Sequence, residues 1–294
     1  MKAAVFDTPR DKVLLFFIYI LLTIIGIITF YPFWDLFVLS LSPYEESFRI
    51  GIRLFPANPT LASYVRVLSN PEIGMGYYNT ILRTVLGTAT GVLVTFLTAY
   101  PLSKKNLPFN GVITLLFVFT MIFNAGLIPN YLNIKSLGLL NSFWVLVLPG
   151  AVSPYNIIIA RNFFQGIPES LSESAKIDGA SEMKIWYRIV LPLSKPVIAT
   201  IALWVAVAHW NSYFDVLIYI TDRSRMVLQV ILRRIVLENQ TQEMLLEVPG
   251  INDKPTPEII KATVIMVATI PILCVYPFVQ KYFVKGVMIG SVKG

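Results

Sequence analysis

VLLFFIYILLTIIGIITFYPFW, running from Val13 to Trp34, holds no charged side chain. A helix rises about 1.5 Å per residue and the hydrocarbon core of a bilayer is about 30 Å thick, so roughly 20 apolar residues cross it. The stretch is long enough to span, and nothing in it demands water. Lys2, Arg10 and Lys12 precede it, as basic residues precede a secretory signal. The run closes on Tyr31, Pro32, Phe33 and Trp34, however, and not on a small-x-small cleavage site, so it reads as an uncleaved first span.

Working outward, five further apolar blocks have the same character: about 77–102, 111–132, 142–164, 196–220 and 262–280. The chain of 294 residues is 55% hydrophobic and 14% charged, where a soluble domain carries about a quarter of its residues charged. Its mean hydropathy of +0.67 excludes a water-soluble globule. The blocks are unbroken and lack the ten-residue alternation of an outer-membrane barrel. With every backbone amide to be bonded inside lipid, the predicted fold is an all-α integral membrane protein, one domain over residues 1–294 with six spans. The single cysteine, Cys274, excludes a disulfide scaffold and reads as a small buried apolar residue.

Six spans put both termini on one side. That side holds the whole net charge of +7, while the opposite loops, long and mixed in sign, sum to zero. By the positive-inside rule the termini are cytoplasmic. The basic face is an orientation signal and not a nucleic-acid surface. On the outer side, Leu228, Ile231, Leu232 and Ile235 recur at helical spacing with Arg233 and Arg234 opposite, which predicts a short amphipathic helix.

Between the fourth and fifth spans, residues 166–196 read GIPESLSESAKIDGASEMKIWYRIVLPLSKP. Pro168 suits a first helical position, and Glu169 and Glu173 favour the positive end of that helix dipole. Leu171 and Ala175 share a face. Gly179 tolerates the dihedrals of a reversal, and Asp178 is positioned to cap a second helix carrying Met183, Trp186, Tyr187 and Val190. Small residues at the tip (Ser174, Ala175, Gly179, Ala180) let another surface approach closely. A pair of helices lying on lipid is the plainer alternative.

The pattern E-S-A-x-x-D-G-A, from Glu173 to Ala180, followed by Ile189-Val190-Leu191-Pro192, resembles the EAA loop of ABC-importer permeases. It departs from the consensus E-A-A only at Ser174. The six spans, Trp210-Asn211 and the closing Gly290-Ser291-Val292-Lys293-Gly294 are similar to the carbohydrate-uptake permeases of the maltose type, with greatest likeness to those handling polysaccharide fragments such as alginate. The resemblance implies a type I importer fold in the bacterial cytoplasmic (inner) membrane. It implies that 166–196 is a coupling helix seated in an ATPase subunit, with Glu173, Ser174, Ala175, Asp178, Gly179, Ala180, Leu191 and Pro192 as the coupling residues. The C-terminal tail, 281–294, would reach the interface between two ATPase subunits. Implied partners are a second homologous permease, two ATPase subunits, an extracytoplasmic solute-binding protein, an oligosaccharide and the lipid bilayer. The chain has no G-x-x-x-x-G-K-[ST] loop, so ATP and Mg belong to the partners and no cofactor to this chain.

Polar residues inside the spans are the candidate translocation path: Asn79, Arg83, Asn124, Asn156, His209, Trp210, Asn211, Tyr213 and Asp215. Asn211 and Asp215 fall on one helical face, and aromatic rings beside polar groups suit a sugar; interhelical hydrogen bonding is the competing use. Arg83 has three readings: snorkelling, pairing with Asp215, or meeting an acidic sugar. No His/Cys cluster has metal spacing, and no nucleophile–base pair is evident. The expected activity is ATP-driven import of oligosaccharides, with acidic, alginate-like ones as the finer expectation. The rival is a self-contained ion-coupled carrier or channel using Arg83, His209 and Asp215.

Overall fold

The computed structural model describes residues 9–49, 51–239, 241 and 255–291. Among them every regular element is helical. The chain divides into two compact units, Met1–Asn70 with Arg234–Ile270, and Pro71–Arg233 with Pro271–Gly294.

The first unit is built on α1, Pro9–Ser40, a 32-residue helix. Nearly all its apolar side chains from Val13 to Phe33 are exposed, as a lipid-facing helix requires. The two threonines within it satisfy their hydroxyls by donating back one turn, Thr23 to the Tyr19 carbonyl and Thr29 to the Ile25 carbonyl. Only the last turn is buried, where Val38 and Leu39 leave the surface. There Ser40 shares a 2.7 Å hydrogen bond with the Tyr64 hydroxyl of α2, Ala62–Leu68, and Ser63 donates to the Ser40 carbonyl.

The second unit is organised around α3, Pro71–Ser103, against which α6 (Pro154–Gln165) and α10 (Lys195–Asn211) pack. Small residues set the approach of α3 and α10. A Cβ on Gly87 would overlap the His209 ring, and one on Gly91 would sit 3.3 Å from Val205. Toward the Ser103 end lies the apolar core: Phe96, Ala99 and Leu102 of α3, Ile157 and Phe164 of α6, and Val197 and Ile201 of α10. The Leu102 carbonyl, one of the orphans at the α3 terminus, accepts from Asn110 Nδ2 and Arg161 Nε.

Three expected spans are not continuous helices. The block 111–132 divides into α4, Asn110–Ile122, and α5, Leu127–Ser136, at 115°. Asn124 Oδ1 accepts the Gly126 amide at 2.9 Å and Gly126 takes φ +86°, a turn that the Asn-Ala-Gly sequence favours over helix. The block 142–164 is a 3-10 turn at Phe143–Leu146, an irregular stretch through Pro149-Gly150, and then α6. Ser153 caps α6 and Pro154 opens it, so only 12 residues are helical there, about 18 Å and too short to cross alone. The block 196–220 stops with α10 at Asn211 and restarts as α11, Phe214–Tyr219.

Counted by length and composition among the described residues, three helices reach spanning dimensions, and up to five do if each bent pair is one span. The final helix, here α13, is Pro257–Ser291, so the expected tail is helical as far as Ser291. Val292, Lys293 and Gly294 lie outside the described residues. Cys274, expected buried, is exposed on α13.

Candidate functional site

Two constellations of the second unit bring together residues singled out in the sequence. The first is the bent pair after α6. Helix α7, Glu169–Ile177, stops because Gly179 adopts φ +76°. The Gly179 amide then bonds the Lys176 carbonyl at 3.0 Å and the Ala180 amide the Ala175 carbonyl at 2.9 Å, the two bonds of a Schellman close. A Cβ on Gly179 would meet no atom within 4 Å, so its requirement is conformational and not steric crowding. The next helix, α8 (Glu182–Ile185), is capped by Ser181, whose hydroxyl accepts the Lys184 amide; Asp178 instead ends α7. That corrects the expected cap. Two residues, Gly179 and Ala180, separate Asp178 from Ser181, and the glycine reversal uses them.

A π-helical turn, Trp186–Val190, and a short α9, Leu191–Leu193, complete the loop. The single aromatic face expected here divides in two. Ile185, Trp186 and Val190 are buried in the core with Phe96 and Phe164, whereas Met183 and Tyr187 are exposed. Ser194 then turns the chain by 81° into α10, its hydroxyl donating to the Val190 carbonyl. Leu191 packs against the core and Pro192 is exposed.

The knuckle therefore has a rooted inner side and a free outer one. Glu173, Ser174, Asp178 and Gly179 are exposed, while Ala175 and Ala180 lean on the core. Ile177, which sequence reasoning passed over, is 87% exposed at the tip.

Glu182 was also missed, because its role exists only once the chain is folded. Its carboxylate pairs with Lys176 Nζ at 2.6 Å and accepts the Tyr100 hydroxyl of α3 at 2.7 Å. The lysine contact, then the tyrosine, holds the Glu182 carboxyl below the usual range, and the same pairing raises Lys176. A cavity of about 600 Å³ opens beside this junction, lined by Lys104, Lys105, Glu169 and Glu173 among others.

The second constellation lies on the opposite half of α3. Arg83 is 3% exposed and reaches across to α10 and α11. Its Nε donates to His209 Nδ1 at 3.3 Å, and its two terminal nitrogens donate to both oxygens of Asp215. Asp215 also accepts Ser212 Oγ at 2.9 Å and the Val216 amide at 3.0 Å. Of the three readings of Arg83, pairing with Asp215 is the one the geometry has. The bidentate fork and its neutralising carboxylate form an interhelical clamp, with Gly87 making room for the imidazole.

The remaining candidates are dispersed. Asn79 donates to the Ser224 and Met226 carbonyls at 2.8 and 2.9 Å, and Thr80 accepts the Leu228 amide at 2.9 Å. These bonds fasten the approach to α12, Leu228–Leu237, onto α3. Asn124 is exposed and serves its own turn, and Asn156 is buried at the start of α6. Trp210 meets Tyr77 edge-on, with centroids 6.5 Å apart. Asn211 donates back to Val207 from an exposed position. Tyr213, at the break between α10 and α11, is 38% exposed and carries Arg233 of α12 over its ring at 5.3 Å. Among the described residues no group of His, Cys, Asp and Glu has metal-binding geometry.

Residues 2–289 match the family described as the inner membrane component of binding-protein-dependent transport systems. The chain belongs to that family: it is the membrane-embedded permease of a transport system, in the class of helical ABC importer permeases. It is 44% identical over 270 residues to Protein LplC of Bacillus subtilis, covering 92% of this chain and 91% of that one. To the polygalacturonan/rhamnogalacturonan transport system permease protein YtcP of the same organism it is 43% identical over 277 residues, 94% and 97% of the two chains. Among solved structures, a bacterial ABC transporter involved in the import of the acidic polysaccharide alginate superposes with a TM-score of 0.86 at 32% identity, over 94% of this chain and 98% of that one.

Proposed function

We propose that this chain is one transmembrane subunit of an ATP-driven importer of acidic oligosaccharides, polyuronate fragments in particular. It would work beside a second, related permease, with two ATPase subunits on the cytoplasmic side, where both termini lie. An extracytoplasmic binding protein would deliver the sugar. The observation that carries the coupling half is the knuckle at Gly179, rooted by Trp186 and Val190 and free at Glu173 and Ile177. Supporting the substrate half, two relatives across nearly the full chain are named for acidic polysaccharides.

ATP closing the ATPase pair draws the knuckles together and the helices rooted in them open the path outward; hydrolysis restores the inward state. A ligand shifts such an equilibrium only through contacts that differ between states, and the exposed tip supplies them. The C-terminal residues Gly290 to Gly294 add a second contact with the ATPase pair. A self-contained ion-coupled carrier is the weaker reading: Arg83 and Asp215 neutralise each other, and the family depends on a binding protein.

The test is uptake of a galacturonate pentasaccharide by proteoliposomes holding both permeases, with the binding protein outside. Uptake requiring the ATPase subunits and internal ATP is expected. Uptake by the permeases alone would contradict the proposal.

A further inference from the structure

Arg83, 3% exposed, is committed to Asp215, so it has no charge to offer a passing anion. Asp222 likewise holds Arg225, at 3.3 Å. Arg233 is different. It is half-buried, it lies over the Tyr213 ring, and among the described residues no carboxylate is within ion-pair distance of it. A cation against an aromatic face keeps its full charge, and a guanidinium presents a planar fork of donors matched to a carboxylate.

Both members are held from behind. Leu228, Val230 and Ile231 bury the inner side of α12, and Asn79 and Thr80 tie its start to α3. Tyr213 sits where α10 ends, its carbonyl accepting the Leu217 amide and the Ser212 carbonyl before it accepting Arg83. Beside Tyr213, Asn211 and Phe214 are exposed. A charged fork, an aromatic ring and an amide gathered at one helix break make the donor set for a sugar unit bearing a carboxylate.

We propose that Arg233 and Tyr213 form the subsite that selects the carboxylate of an acidic sugar unit, an inference that rests on the acidic-oligosaccharide reading above. The guanidinium takes the carboxylate, Tyr213 receives the apolar C–H face of the ring, and Asn211 is the adjacent donor for hydroxyls. A neutral sugar of the same shape leaves the guanidinium without an anion and gains nothing from it.

The experiment is equilibrium binding to the complete purified importer, without binding protein, of galacturonate pentasaccharide and of the same oligosaccharide with its carboxylates reduced to alcohols. The intact complex is expected to prefer the acidic form by roughly tenfold or more. Arg233→Gln removes that preference while leaving the reduced form's affinity unchanged, Arg233→Lys keeps part of it, and Tyr213→Ala weakens both forms. Equal loss of both forms in Arg233→Gln with normal assembly, or no preference in the intact complex, overturns the subsite. The uptake assay above separates the two ideas: acidic oligosaccharide imported normally by Arg233→Gln sinks the subsite alone, whereas no acidic uptake by the intact importer sinks the reading beneath it.

Discussion

Arg83 shows how a residue's chemistry is decided by its neighbours. An isolated guanidinium in the interior would be untenable, and the carboxylate of Asp215 makes it tenable at the cost of committing it. Breaking one side of a buried pair exposes the desolvation cost of the other, about 3 kcal/mol or more, while replacing both by apolar groups of similar volume is often near neutral. Arg83→Leu should therefore lower the thermal midpoint of the purified complex clearly. Arg83→Leu with Asp215→Leu should recover most of that loss. A double variant as unstable as the single one would mean the clamp is not a matched pair. The pairing was one of several options from sequence, since Asn79, Arg83 and Asp215 carry no mark of their partners. Arg233 was legible only as the polar face of an amphipathic helix, because its contact with Tyr213 arises from the fold.

At the scale of elements, the knuckle was the most readable part. Gly179 and the Glu173-Ser174-Ala175 triplet announce a reversal at a fixed position, and the reversal is there. What the sequence withheld was the attachment. Tyr100 and Glu182 are 82 positions apart, and their bond ties the knuckle to α3 as well as to α10. Tyr100→Phe should keep assembly but lower transport per ATP hydrolysed, because motion of the knuckle would no longer pull on α3 through this bond. Unchanged coupling would dismiss the strut. The same junction titrates. Glu182 is lowered in the fold, so its contribution is fully present above the ordinary carboxylate value of about 4.3 and disappears as pH falls through the lowered one. Coupling dependent on Glu182 should hold from neutral pH down to about 5 and fall only under stronger acid, and Glu182→Gln should remove that acid-sensitive phase. The two helix ends share an exposed pair, so the effect belongs to coupling more than to stability.

Across the whole molecule, apolar block length foretold α1, α3 and α13 well, because uninterrupted runs leave helix as the only way to satisfy the backbone in lipid. It overestimated 142–164, where Pro149-Gly150 and Ser153-Pro154 interrupt a run whose average hydropathy still looks continuous. Hydropathy sums side chains, whereas proline and glycine act on dihedrals.

In the proposed mechanism, work enters this permease through one glycine-turned knuckle. Co-purification of the ATPase subunits and ATP-driven uptake, measured together for Gly179→Val and Gly179→Asn, test it most directly. At φ +76° a β-branched valine is strained and asparagine is tolerated. The valine variant is expected to insert normally yet lose both the ATPase partner and uptake, with the asparagine variant retaining most of each. Full uptake and normal co-purification by the valine variant would contradict it.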